Sequence, residues 1–322
     1  MSETTWEVIV VGGGSAGLSA ALMLGRARRR VLVLDGGQPR NRFSAHMHGV
    51  LGRDGTSPPA LLEDGRRELE RYDVQVRSEQ VAEAVAWEGD AVGFTVTLAS
   101  GEVLSARRLV VATGLRDVLP EIEGLAELWG RGVAVCPYCD AWEVRDARIG
   151  ALATGPFSTH HAQLLRQWTS DLVYLSAAGV ELPEEERRAL LARGIRVDER
   201  GVRRVLGEDG RLTGVEMADG ERVQLDAIFL ATGVVAQDSL LSGLGAEMSE
   251  MFGTTWVTTD PSGRTSVPGV WAAGNVATPQ ANVPVAMGMG AMAGGAVNAD
   301  LITEEIAAAV AAAAEAGAVP VA

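Results

Sequence analysis

The first forty residues constrain the chain more tightly than any other stretch. Val8-Ile9-Val10-Val11 is an unbroken β-branched run, the pattern of a strand buried on both faces of a parallel sheet. It leads straight into Gly12-Gly13-Gly14-Ser15-Ala16-Gly17 and a helical stretch from Leu18 to about Arg28. A second apolar strand follows, Val31-Leu32-Val33-Leu34, and ends in Asp35. A lone G-x-G-x-x-G says little. Set between strand and helix, with an acid 18 positions after its last glycine, it predicts a dinucleotide-binding βαβ unit. Gly12 permits the tight turn, Gly14 lets the backbone approach a pyrophosphate, and Gly17 lets the helix pack on the strand. The helix N-terminus turns free N–H groups toward the phosphates, and Asp35 is placed to accept from ribose hydroxyls.

An internal repeat extends this frame. Residues 98–114 read LASGEVLSARRLVVATG and residues 217–233 read MADGERVQLDAIFLATG, aligned without a gap. Each is preceded by a hairpin-type strand (Phe94 to Leu98, Leu212 to Met217) and ends on Ala-Thr-Gly. Two such endings predict an α/β chain with two Rossmann-like, three-layer ββα domains. The second would open at Arg148-Ile149-Gly150-Ala151-Leu152-Ala153-Thr154-Gly155-Pro156-Phe157-Ser158, where the fingerprint is broken. Ala153 and Ser158 stand at the first and third glycine positions, and Pro156 and Phe157 crowd the turn. The strand Leu172 to Leu175 runs on into Ser176-Ala177-Ala178, with no acid for a ribose and no arginine for a 2′-phosphate. After the second repeat come Val270-Trp271-Ala272-Ala273-Gly274-Asn275 and a glycine-rich helical stretch from about Val285 through Asp300. Glycine costs ~1 kcal/mol relative to alanine inside a helix, so Gly288, Gly290, Gly294 and Gly295 predict close approach to a ligand or a neighbouring element.

Composition removes several chemistries. The net charge of −14 argues against nucleic acid and anionic membrane surfaces. All 28 basic residues are arginine, so neither a Walker lysine nor a lysine Schiff base is available. No basic segment and no signal-type apolar core opens the chain, no uninterrupted apolar run reaches membrane length, and a cytoplasmic location is expected. The only two cysteines lie together in Cys136-Pro137-Tyr138-Cys139-Asp140. Residues alone leave three readings of the pair: a redox dithiol, half of a metal site, or two inert thiols. Neither His46/His48 nor His160/His161 is brought to the cysteines by the sequence, so the redox reading is preferred and no metal is expected. A first helical turn would put both thiols on one face, near the positive end of the helix dipole. Asp140 is a candidate proton shuttle, or else a first-turn charge.

Taken together, residues from about Val8 to Leu301 resemble the low-molecular-weight thioredoxin reductase family, whose flavin domain is split in sequence by a central nucleotide domain carrying CxxC. The resemblance implies an FAD domain over 1–117 and 238–305, a central NAD(P)-type domain over 118–237, and a C-terminal helix and loose tail over 306–322. It implies FAD contacts at Gly12, Gly14, Ser15, Ala16, Gly17, Asp35, Gly36, Ala112, Thr113, Gly114, Gly274, Asn275, Asn282 and Val283. The family's second FAD motif ends Gly-Asp; here it ends Gly274-Asn275, and asparagine can still hydrogen-bond a hydroxyl. In the family pattern Cys139 faces the flavin and Cys136 meets the substrate. The family's second fingerprint and its His-Arg-Arg are missing, so NADPH is not expected. That loss, with Cys-Pro-Tyr-Cys-x-x-Trp-Glu-Val-Arg over Cys136 to Arg145, resembles the gliotoxin- and holomycin-type dithiol oxidases of natural-product pathways.

The resemblance implies oxidation of a small dithiol, with oxygen reduced to hydrogen peroxide, by a homodimer. Two alternatives stay open. One is a disulfide reductase serving a thioredoxin-like protein, with NADPH bound atypically or electrons from ferredoxin or another flavoprotein. The other is a flavoprotein sensor without turnover. His48 is a candidate base or a plain loop histidine, as is His46. His160 and His161 read as helix-surface residues, and Trp142 as pocket lining or filler. With no third cysteine, any intrachain disulfide joins Cys136 to Cys139, and any further thiol must come from outside.

Overall fold

The computed structural model describes residues 5–89, 91–177, 180–251 and 253–316. Ala178, the residues before Thr5 and the expected tail at 317–322 lie outside them. The elements in chain order begin with β1 (Trp6–Val11), α1 (Ser15–Arg26), β2 (Val31–Leu34), α2 (Pro58–Glu70) and β3 (Gln75–Arg77). Then come β4 (Val81–Ala86), β5 (Phe94–Leu98), β6 (Val103–Val111), β7 (Leu115–Val118), β8 (Val133–Ala134), α3 (Pro137–Asp140) and β9 (Ile149–Ala153). Next are α4 (Ser158–Leu165), β10 (Leu172–Ser176), α5 (Glu184–Ala192), β11 (Arg196–Asp198), β12 (Val202–Glu208), β13 (Arg211–Met217) and β14 (Arg222–Gln224). The chain closes with β15 (Ala227–Leu230), β16 (Gly233–Ala236), α6 (Ser239–Gly243), β17 (Met248–Met251), β18 (Thr254–Val257), β19 (Val270–Ala272) and α7 (Val283–Glu315).

Two compact units result, Met1–Arg40 with Pro59–Arg116 and Val235–Ala322, and Asn41–Pro58 with Asp117–Val234. In the first, strands run in the order β3-β2-β1-β6-β5-β4. The β1, β2, β3 and β6 portion is parallel; β4 and β5 return antiparallel as the third layer. The first half of β6 pairs with β5 and its second half with β19. Strand alternation divides the core. Val8 and Val10 pack with α1 and α7, while Ile9 and Val11 pack on the opposite side with Phe94, Val96, Leu240 and Leu241.

Helix α7 lies on α1 through two of the glycines singled out above. A Cβ on Gly290 would stand 2.0 Å from the Ala16 carbonyl oxygen, and one on Gly294 would stand 2.6 Å from that of Ala20. A Cβ on Gly288 or Gly295 would meet no atom within 4 Å among the described residues. The separate terminal helix expected at 306 is absent: α7 is one 33-residue helix. By length and composition alone it could cross a membrane, although Asn298, Asp300, Glu304 and Glu305 interrupt its apolar run. Its Ala293, Val297 and Leu301 are fully buried in the first unit's core.

The second unit repeats the plan with a parallel sheet β11-β10-β9-β15-β8 and an antiparallel layer β12-β13-β14. The repeat is imperfect: the single strand β6 corresponds to two shorter strands, β14 and β15. Residues 41–58, expected with the first domain, cluster with this unit. Their turn is closed by Met47 N–H to Thr56 O (2.9 Å) and Gly55 N–H to Met47 O (3.0 Å). Gly130 supports it: at φ 74° its missing Cβ leaves room for the Phe43 carbonyl, which would otherwise lie at 2.6 Å.

Candidate redox-disulfide and flavin sites

In the first unit the glycine-rich turn is shaped by backbone contact. Gly12 has φ 108°, and a Cβ there would meet Ala112 O at 2.3 Å. A Cβ on Gly17 would meet Gly12 O at 1.9 Å. Gly14 and Gly36 meet nothing within 4 Å, so the turn is open on the side where a pyrophosphate would lie. Gly14 caps α1 without a side-chain bond, and no acid stands in the first turn, Ser15-Ala16-Gly17. The free N–H groups and the dipole therefore favour an anion.

Asp35 ends β2 with Oδ2 accepting from Arg66 Nη2 (2.6 Å) and Oδ1 accepting from the Gly37 N–H (3.0 Å). Gly274, at φ 78°, brings its turn to α1; a Cβ would lie 2.8 Å from that of Ala16. Asn275 Nδ2 donates to the carbonyls of Thr278 (3.1 Å), Pro279 (3.1 Å) and Ala281 (2.9 Å). That network fixes the amide and leaves Oδ1 as the acceptor. Asn282 is the N-cap of α7, accepting from Val285 N–H, and Val283 is its first residue. Thr113 is committed to Gln237 in both directions, while Gly114 turns at φ 75°. The cradle fits an FAD at its pyrophosphate and ribose ends.

In the second unit Cys136 and Cys139 are joined as a disulfide, with Cα atoms 5.2 Å apart. Cys136 is the N-cap of α3 and Pro137 its first residue; the N–H groups of Cys139 and Asp140 donate to Cys136 O. At four residues α3 supplies only a small dipole, less than a thiolate at a full helix end would feel. The stronger perturbation comes from side chains. Asp140 is half-buried, and its carboxyl is pushed up to about 6, first by desolvation and then by the charge of Glu143, with His48 opposing.

His48 stands between two acids, Nδ1 to Asp54 Oδ2 and Nε2 to Glu143 Oε1, both at 3.4 Å. Asp54 is held below its usual range by the Gly49 N–H and His48. Asp140, Glu143 and His48 thus form one electrostatically coupled group. Glu143 and Asp54 were not singled out in the sequence, although Glu143 follows Asp140 by only three residues. Among the described residues, His46 Nδ1 meets Gly55 O (3.1 Å). Trp142 is 62% exposed beneath the Arg145 guanidinium, and Tyr138 is 72% exposed. His160 is exposed as expected. His161 is not a surface residue: it packs edge-on to Phe229 and is hydrogen-bonded to the backbone of Val135, next to Cys136, while burial lowers its pKa.

The broken second fingerprint has a structural explanation. Ser158 is 3% exposed, and its Oγ accepts from the N–H groups of Thr154 (3.0 Å) and Gly155 (3.2 Å). Those are donors of the turn that would hold a pyrophosphate. Thr154 Oγ1 is likewise turned inward, donating to Ala231 O (2.6 Å).

Residues 6–290 match the family model for pyridine nucleotide-disulphide oxidoreductases. The chain belongs to that family. Such proteins are flavoprotein oxidoreductases with the two-domain Rossmann fold seen here. Thioredoxin reductase tcpT of Claviceps purpurea is 33% identical over 306 residues, covering 92% of this chain and 95% of the relative. The crystal structure of HlmI matches with a TM-score of 0.91 at 47% identity, covering 97% of both chains. An oxidoreductase from Agrobacterium tumefaciens matches with a TM-score of 0.86 at 36% identity, covering 93% of this chain and 99% of the other.

Proposed function

We propose that this family member oxidises small apolar dithiols to disulfides without NADPH. The observation that carries the reading is the Ser158 hydroxyl, which takes the place of a phosphate in the second unit's turn. The apolar preference rests on Tyr138, Trp142 and the fully exposed Leu51, which lies in the His48 loop.

In the proposed cycle one substrate thiolate attacks Cys136 Sγ, breaking its bond to Cys139 and releasing the Cys139 thiolate. The Asp140–His48–Glu143 group takes the proton from the second substrate thiol. That thiolate attacks the substrate sulfur of the mixed disulfide, closing the substrate disulfide and expelling Cys136 as thiolate. Two electrons and one proton have then passed from substrate to protein, the first thiol having given its proton to solvent. Gly12, Gly14, Gly17, Asp35 and Asn275 would hold FAD, which when bound would supply the two-electron acceptor chemistry and the route to oxygen, with hydrogen peroxide as the product. Asp140 suits the role because a carboxyl poised near 6 exchanges protons readily close to neutrality.

The relatives named thioredoxin reductase favour a second reading, in which NADPH or another donor reduces the flavin and a thioredoxin-like protein is the substrate. Anaerobic mixing separates the two. Dithiothreitol should bleach the flavin absorbance, NADPH should leave it yellow, and peroxide should appear stoichiometrically when air returns. Rapid bleaching by NADPH would sink the oxidase reading.

A further inference from the structure

Helix α2 carries a charge on its core-facing stripe. Leu62 and Leu69 are both buried in the first unit's core, and their spacing of seven places them on one face of the helix. Arg66 stands on that same face, one turn after Leu62 and one turn before Leu69. Its neighbour Arg67 faces water instead, with a side chain 63% exposed that pairs with Asp64 one turn back. A methionine or leucine at 66 would complete the apolar stripe, so helix packing does not account for the arginine. Gly65 brings this point of α2 close to α1. A Cβ on Gly65 would stand 3.2 Å from Leu18 Cδ1, a range that a side chain there would crowd.

The Arg66 guanidinium is directed at Asp35. Its Nη2 donates to Asp35 Oδ2 at 2.6 Å, the short distance of a charge-assisted bond, while the Gly37 N–H holds Oδ1 at 3.0 Å. The acid is sheltered, with a side chain 13% exposed. It also leans over the glycine-rich turn: a Cβ on Gly13 would stand 2.5 Å from Asp35 Cγ. The two contacts use two of the roughly four lone-pair directions of the carboxylate and leave the others for ribose hydroxyls. The same placement sets a negative charge beside the turn whose free N–H groups and helix dipole suit a diphosphate. Left unpaired, that carboxylate would repel the anion that the turn attracts.

We propose that Arg66 is a positioning residue for the cofactor. It fixes Asp35 as the ribose acceptor and cancels the charge that this acid would otherwise set against the FAD diphosphate. The dinucleotide fingerprint contains the acid but not this partner, which lies 31 residues further on and belongs to another element. The pairing also explains why an arginine interrupts the Leu62–Leu69 stripe: the position serves the ligand at the expense of packing. The inference rests on the flavin reading of the first unit and is independent of which thiol or electron acceptor the protein serves.

The test is the rate at which the loaded protein loses FAD. Ultrafiltration after dilution into excess ADP measures it, since ADP carries the ribose and diphosphate and blocks rebinding. At low ionic strength Arg66→Met and Arg66→Gln should each release FAD roughly tenfold or more faster than wild type, because truncating one partner of a sheltered charge pair acts on the off-rate. In about 0.5 M sodium chloride the gap should shrink to about threefold, because salt screens the repulsion between Asp35 and the diphosphate. In the Asp35→Asn background, Arg66→Met should change the release rate by less than about twofold, since the group that Arg66 acts on is then neutral. Methionine completes the apolar stripe and should fold as well as wild type; elution volume and circular dichroism check this, and the glutamine variant carries the test should methionine fail to fold. Unchanged release in the folded variants would overturn the proposal. So would an equally large loss in the Asp35→Asn background, or a gap that salt leaves untouched. No thiol chemistry enters the measurement, so its outcome does not depend on the oxidase reading.

Discussion

Replacing Asp140 by asparagine turns the perturbed carboxyl into a measurable free energy. The native carboxyl sits at about 6 against an ordinary value of 3.8, a difference worth about 3 kcal/mol at 1.36 kcal/mol per unit. The sign follows from proton binding. Between these two values the folded protein holds a proton that the unfolded chain has lost, so stability falls as pH rises through this window. Above about pH 6 the folded protein carries the full cost of a desolvated charge facing Glu143. Below 3.8 both states are neutral at this position and there is no cost. An asparagine side chain has no proton to lose, so Asp140→Asn removes a penalty that exists only at higher pH.

The variant should therefore match the wild type near pH 4 and exceed it by about 3 kcal/mol at pH 8. Urea unfolding of the oxidised, FAD-loaded protein, followed by tryptophan fluorescence at half-unit pH intervals, measures the difference, with a common m-value as the check on comparability. The same substitution should slow anaerobic flavin reduction by dithiothreitol roughly 100-fold or more, through loss of the proton acceptor. A stability difference that is constant with pH, or a variant less stable at pH 8, would refute the desolvation argument. Unchanged reduction kinetics would remove Asp140 from the cycle and leave the electrostatics intact.

Two further substitutions should move the rise in reduction rate near pH 6 in opposite directions. Glu143→Gln removes a like charge and should shift it to lower pH, while His48→Gln removes the opposing influence and should shift it to higher pH, each by roughly one unit at most; stopped-flow pH profiles read both. In the flavin cradle, Gly14→Ala should give a folded protein that fails to retain FAD, because the added methyl meets no protein atom and points into the open turn. Gly17→Ala should instead cost more than ~4 kcal/mol and prevent folding, since its methyl would lie 1.9 Å from the Gly12 carbonyl oxygen; soluble yield and flavin content distinguish the two.

What could be read from the sequence was what local chemistry decides. The βαβ unit was legible because each of its glycines answers a local need, a positive φ at Gly12 and a carbonyl against Gly17. The broken second fingerprint was legible as an absence, but not its cause: that Ser158 turns its hydroxyl back onto Thr154 and Gly155 depends on a rotamer. The acid–histidine group was hidden for a different reason. His48 and Glu143 lie 95 residues apart and meet only because residues 41–58 fold against the central unit rather than with the domain that surrounds them in sequence. The two faces of α7 were present in the sequence throughout, yet they could not be told apart. Gly288 and Gly290 look alike in a glycine-rich helix until α1 is found packed against one and nothing against the other. The pattern common to these cases is that sequence periodicity marks which residues need a partner, and the fold decides which of them have found one.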